Sequence, residues 1–86
     1  MKKKLIGEIS NYFGNISVAA FVITKGKLQV GDYIQIKGST TDFSIKVESI
    51  QLEHKSIETA KSRDDIGIKV DQKVRRGDKV YLIQEN

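Results

Sequence analysis

One turn signal recurs along this chain and constrains its fold more than any other feature. Val30-Gly31-Asp32-Tyr33-Ile34 and Arg76-Gly77-Asp78-Lys79-Val80 share it, and Arg63-Asp64-Asp65-Ile66-Gly67 reads as a degenerate third copy. In each, glycine supplies a positive φ that other residues resist, aspartate bonds its own turn backbone, and β-branched or aromatic residues follow. The pattern launches strands. Val and Ile together number 19, against seven for Leu and Ala, a balance that suits a pleated surface better than a helix.

Leu5 to Ile9 and Ile16 to Ile23 read as the first two strands, joined by a loop from Ser10 to Asn15. The second strand is apolar on both faces, so one face fills a core and the other needs a cover. Phe21 and Ile23 are expected on the exposed side, as a seam for a protein partner or a second copy of the chain. After the Lys25-Gly26-Lys27 turn, Leu28 and Val30 are expected to pack beneath it, and Tyr33 to Lys37 alternates with Ile34 and Ile36 inward. The longest strand is predicted from Phe43 to Glu53, with a phase slip near Ser49 that a β-bulge would absorb. His54 to Ser62 reads as a loop, Ile66 to Val70 as a short strand, Asp71 to Arg76 as a connection, and Val80 to Leu82 as the closing strand. Six or seven short strands in 86 residues predict an all-β fold, a small closed β-barrel forming one domain over 1–86.

Several chemistries are excluded or weakened by residue type. Without cysteine there is no disulfide, thiolate nucleophile or thiolate metal site, and a reducing, cytoplasmic setting is expected. Met1 to Lys4 resembles the basic start of a secretory signal, but Gly7, Glu8, Ser10 and Asn11 interrupt the apolar run such a signal requires. No other stretch is apolar and long enough to cross a membrane. His54 is the single histidine, too few imidazoles for a usual zinc site and without a recognisable nucleophile beside it. Asp32, Asp64, Asp65 and Asp78 could be read as carboxylates for catalysis or metal binding, yet turn aspartates bonding local amides explain their spacing. No catalytic residue, metal or cofactor is expected.

The formal charge is +4, and its distribution matters more than its size. Lys25 and Lys27 fall in one predicted turn, and Lys73, Arg75 and Arg76 in another. Brought together, these five could dock phosphates. Tyr12, Phe13, Tyr33 and Tyr81 are the aromatic residues available for stacking on bases.

Taken in order, Ile6-Gly7-Glu8-Ile9, Thr24 to Asp32, Ala60 to Gly67 and Arg76-Gly77-Asp78 resemble the second domain of translational GTPases such as elongation factor Tu. The most specific stretch is Lys25-Gly26-Lys27-Leu28-Gln29-Val30-Gly31-Asp32. Similar barrels occur free-standing and as an appendage of collagenase-like peptidases. The resemblance implies a closed Greek-key barrel that contacts tRNA, rRNA or the ribosome. The chain has no G-x-x-x-x-G-K-[ST] segment, so no phosphate cradle for nucleotide hydrolysis can form. It also departs from the family at Gly14-Asn15-Ile16, at Phe21, at Ala60-Lys61-Ser62-Arg63-Asp64, where Arg63 stands for the family's glycine, and at Asp71-Gln72. The function expected from sequence is a non-catalytic accessory module docking on RNA or the ribosome through its basic loops. The alternative is a protein-interaction module working in trans with a peptidase or a modification enzyme.

Overall fold

A computed structural model describes residues 2–84; Met1 of the signal-like start and the last two residues of the expected 1–86 domain lie outside them. The strands are β1 (Lys2–Phe13), β2 (Val18–Ile23), β3 (Lys27–Gln29), β4 (Tyr33–Lys37) and β5 (Asp42–Lys46). They continue with β6 (Ile50–Leu52), β7 (Lys55–Ile57), β8 (Thr59–Lys61), β9 (Asp65–Lys69) and β10 (Lys79–Gln84). The fold is all-β: every pairing is antiparallel, and the described residues include no helix.

The three turn signals build one corner three times. Asp32, Asp64 and Asp78 each accept, through Oδ2, the backbone N–H three residues earlier, at 3.0, 3.0 and 2.9 Å. In each turn the aspartate N–H also donates to the carbonyl of that same earlier residue, at 3.1, 3.0 and 3.1 Å. The third turn position has positive φ, 101° at Gly31, 78° at Arg63 and 94° at Gly77, the signature of a type II turn. Arg63 stands where the others have glycine, one residue before Asp64 of the degenerate copy and at the position that Ala60-Lys61-Ser62-Arg63-Asp64 gives it in the resemblance.

Long β1 is the spine, pairing β10 on one side and β2 on the other, with register shifts between Leu5 and Gly7 and between Ile9 and Asn11. Such bulges bend a strand around a core. One cluster fills the concave side, including Ile6, Ile9, Phe21, Ile23, Ile34 and Ile68.

Six expectations are corrected. The barrel is not closed: eight strands pair in the order β5-β4-β10-β1-β2-β9-β6-β7, and β3 and β8 form a separate two-stranded ladder. At the gap the chain supplies corner bonds instead of a ladder, Val30 N–H to Glu58 O at 2.9 Å and Gly31 N–H to Val47 O at 2.8 Å. Leu28 and Ala60 of the small ladder are buried in the same core, so packing seals what pairing leaves open. Strands are ten rather than six or seven among the described residues.

The predicted Phe43–Glu53 strand is two strands, because the chain leaves β4's edge at Val47 and joins β9 at Ile50. The predicted 54–62 loop contains β7 and β8, reached through Glu53 and His54 at φ 50° and 67°, a pair of left-handed residues of the kind that closes two-residue hairpins. Phe21 and Ile23 are fully buried rather than exposed, while Val30, expected inside, is 40% exposed.

Candidate functional site

Burying Ala19, Phe21 and Ile23 turns Val18, Ala20 and Val22 to the outer face of β2. Registers place Asn11, Ala20, Gly67 and Gln51 side by side across β1, β2, β9 and β6. The small residues in the middle of that row floor a groove of about 920 Å³, walled by Phe13 and Ile16 and by His54, Arg63 and Arg76. Phe13 is 43% and Ile16 56% exposed, so the wall carries uncovered apolar area beside cations. Arg76 is anchored by a 3.1 Å bond from Nε to the Ser10 carbonyl. Glu53, Asp64 and Asp65 also line the groove, giving it mixed charge. Three of its residues, Glu53, His54 and Arg63, hold positive φ without being glycine, a conformation that costs about 1–2 kcal/mol each.

Of the basic residues singled out from sequence, Lys27 and Arg76 line different grooves. Arg76 sits against Ser10, whereas Lys27 lines a separate groove with Lys4. Lys4 and Ser10 lie on the same strand, separated by about 20 Å at the rise of an extended chain. Lys25, Lys73 and Arg75 are exposed and line neither groove. Phe21 and Ile23, expected to form a protein seam, are inside the core, and the uncovered apolar residues are instead Leu5, Phe13, Ile16, Val22, Val30 and Tyr33. Of these, Phe13 drew attention in the sequence only as a stacking candidate. Ile16 was hidden by assignment to a strand, whereas it lies in the turn after β1. Among the described residues no group of three or more His, Asp or Glu is placed to hold a metal ion.

Comparison with solved structures defines the class of fold. The chain superposes on the C-terminal domain of a U32 peptidase from Geobacillus thermoleovorans with a TM-score of 0.86, covering 94% of this chain and 93% of that domain at 15% identity. A selenomethionine variant of that domain gives 0.83 at 16% identity, covering 90% and 96%. In sequence, the chain is 39% identical over 85 residues to an uncharacterised protease of Methanocaldococcus jannaschii, covering 98% of this chain and 21% of the relative. It is 42% identical over 81 residues to a collagenase of Porphyromonas gingivalis, covering 93% of this chain and 22% of the collagenase. The chain thus spans about a fifth of the length of the curated relatives it matches. No family model matches it. These relatives support the peptidase side of the resemblance seen in the sequence and lend nothing to its elongation-factor side.

Proposed function

We propose that this chain is a non-catalytic docking module that serves a collagenase-type peptidase, contacting the peptidase through the groove walled by Phe13 and Ile16. The observation that carries this reading is 39–42% identity across 93–98% of the chain to one segment of much longer proteases. In those relatives about four fifths of the protein lies outside the matching segment, and this chain shows no recognisable nucleophile–base pair of its own. Uncovered Phe and Ile beside anchored cations are the ingredients of a protein interface. Docking on tRNA, rRNA or the ribosome, by contrast, draws no support from these relatives, and Lys27 and Arg76 line different grooves.

The test is a titration of the labelled chain with a purified collagenase-type peptidase from the same cell. Saturable binding is expected, weakened at least about tenfold by the Phe13→Glu/Ile16→Glu pair, which corresponds to about 1.4 kcal/mol of contact energy. Both side chains are exposed, so the pair should fold normally. Absence of a complex, or equal binding by the variant, refutes the assignment.

A further inference from the structure

The second groove, of about 740 Å³, opens between the β1–β10 edge of the core and the small β3–β8 ladder. Lys4, Lys27 and Lys61 line it, with Ile6 and Leu82 among its apolar walls. Two features of this arrangement work against the fold's own stability.

First, Lys27 and Lys61 are direct cross-strand partners in the β3–β8 ladder. Leu28 and Ala60, the next pair along, are fully buried, so alternation puts both lysines on the outer face, opposite one another. Like charges so placed are destabilising. Second, Lys4 lies in register with Leu82 and two residues from buried Ile6, on the concave side of the central strand. It is half-buried, and its Nζ reaches to 3.3 Å from where a Cβ on Gly26 would stand. Burial of its stem against Ile6 and Leu82 accounts for the aliphatic part. It does not account for a third lysine lining the same groove.

None of the three lysines forms an ion pair among the described residues, where the salt bridge present is Lys79 with Glu8. Asp32 is the one carboxylate lining the groove, and its Oδ2 already accepts the Gln29 N–H. The backbone segments that carry Lys27 and Lys61 are tied together: Ser62 Oγ donates to Gly26 O at 3.1 Å, linking the turn before Lys27 to the turn after Lys61.

We propose that this groove is a docking site for a carboxylate-bearing polypeptide segment, a function additional to association with a peptidase and independent of it. Three ammonium groups without an ion pair among the described residues match Asp and Glu side chains. Gln29, Gln84 and Ser62 on the walls offer donors and acceptors to a peptide backbone. The aliphatic floor suits apolar side chains between acidic ones. No aromatic residue lines the groove, so nucleic-acid bases have no stacking platform there.

Fluorescence anisotropy with a blocked, labelled decapeptide of alternating Glu and Val tests the proposal at low salt. The same peptide with Gln for Glu, and a labelled oligouridylate, serve as the competing probes. The expected result is at least about tenfold tighter binding of the Glu peptide than of either competitor, since two or three partly exposed charge pairs together supply about that factor. Lys27→Gln/Lys61→Gln should weaken it about tenfold and Lys73→Gln/Arg75→Gln should leave it unchanged. Because the first pair removes a cross-strand repulsion, it should melt no lower than the wild type, which separates lost binding from lost folding. The proposal is overturned by failure of the Glu peptide to bind, by equal binding of the Gln peptide, by equal losses in the two variants, or by tighter binding of the oligouridylate. Peptidase association would survive each of these results, and its own failure would leave the peptide measurement intact.

Discussion

Gly38 has no positive φ to explain it, yet the structure makes it one of the least replaceable positions in the chain. A Cβ built there would stand 1.9 Å from Asp78 Oδ1 and 2.7 Å from its Cγ. Asp78 is 5% exposed, and its other oxygen caps Arg75 N–H in the turn before β10. The carboxylate cannot swing aside without giving up that bond. Gly38→Ala therefore combines overpacking, about 1–3 kcal/mol, with loss of a partly buried hydrogen bond, about 1–2 kcal/mol. The sum, about 2–5 kcal/mol, is a large share of the roughly 4–13 kcal/mol expected for a domain of this length. The third nearest atom to the added methyl is Asp78 Cα at 3.5 Å, an ordinary contact, so an alanine at position 78 would no longer collide. Asp78→Ala alone should cost about 1–2 kcal/mol for the lost cap, and Gly38→Ala made in that background should cost less than about 1 kcal/mol. Urea unfolding of the four proteins in this double-mutant cycle measures the coupling. Additive costs would show that the methyl collides with something other than the aspartate and refute the reasoning.

Two further outcomes follow from the turns and the surface. Arg63→Gly should raise the urea midpoint, by about 0.5–1 kcal/mol in stability, because relief of the left-handed backbone at φ 78° exceeds the added entropy of glycine in the unfolded chain; a lower midpoint refutes it. The Lys79 ammonium is held above its ordinary pKa, first by its hydrogen bond to Glu8 and then by that carboxylate's charge. A value raised in the folded state contributes stability that is full below 10.5 and is lost as pH climbs through the folded value. Glu8→Gln should thus unfold at lower urea than the wild type at neutral pH, with the gap closing in alkaline solution; a gap independent of pH counts against the pairing.

How far the fold could be read from the chain depended on whether the information was local. The aspartate corners were legible because everything they need lies within four residues: the capping carboxylate, the carbonyl it bridges and the position that turns left-handed. Even there, the third corner is less legible from its own residues, since Arg63 does at φ 78° what glycine does in the other two. The β6–β7 hairpin was illegible for the same reason, as Glu53 and His54 take left-handed angles that their side chains do not advertise. The inner face of β2 posed a different problem. Val18, Ala20 and Val22 are as apolar as Ala19, Phe21 and Ile23, so alternation alone cannot choose between them.

Glycines on the neighbouring strands settle that choice. The Phe21 ring lies against Gly7, where a Cβ would come within 2.6 Å of Cδ2, and Val18 lies against Gly67 on the other face, where a Cβ would meet its Cγ1 at 2.9 Å. Each glycine is a vacancy that fits one particular side chain on β2, and the larger vacancy faces the core. Such information belongs to pairs of residues 14 and 49 positions apart, so a reading along the chain sees two unexplained glycines where the sheet sees a register. The outer groove follows from the same choice: with Phe21 turned inward, the small residues Ala20 and Gly67 lie at the middle of the opposite face, and Phe13 and Ile16 stand uncovered above it. The groove is thus the reverse side of the core's packing solution. A substitution that flipped β2 would expose Phe21 and fill the groove in one step.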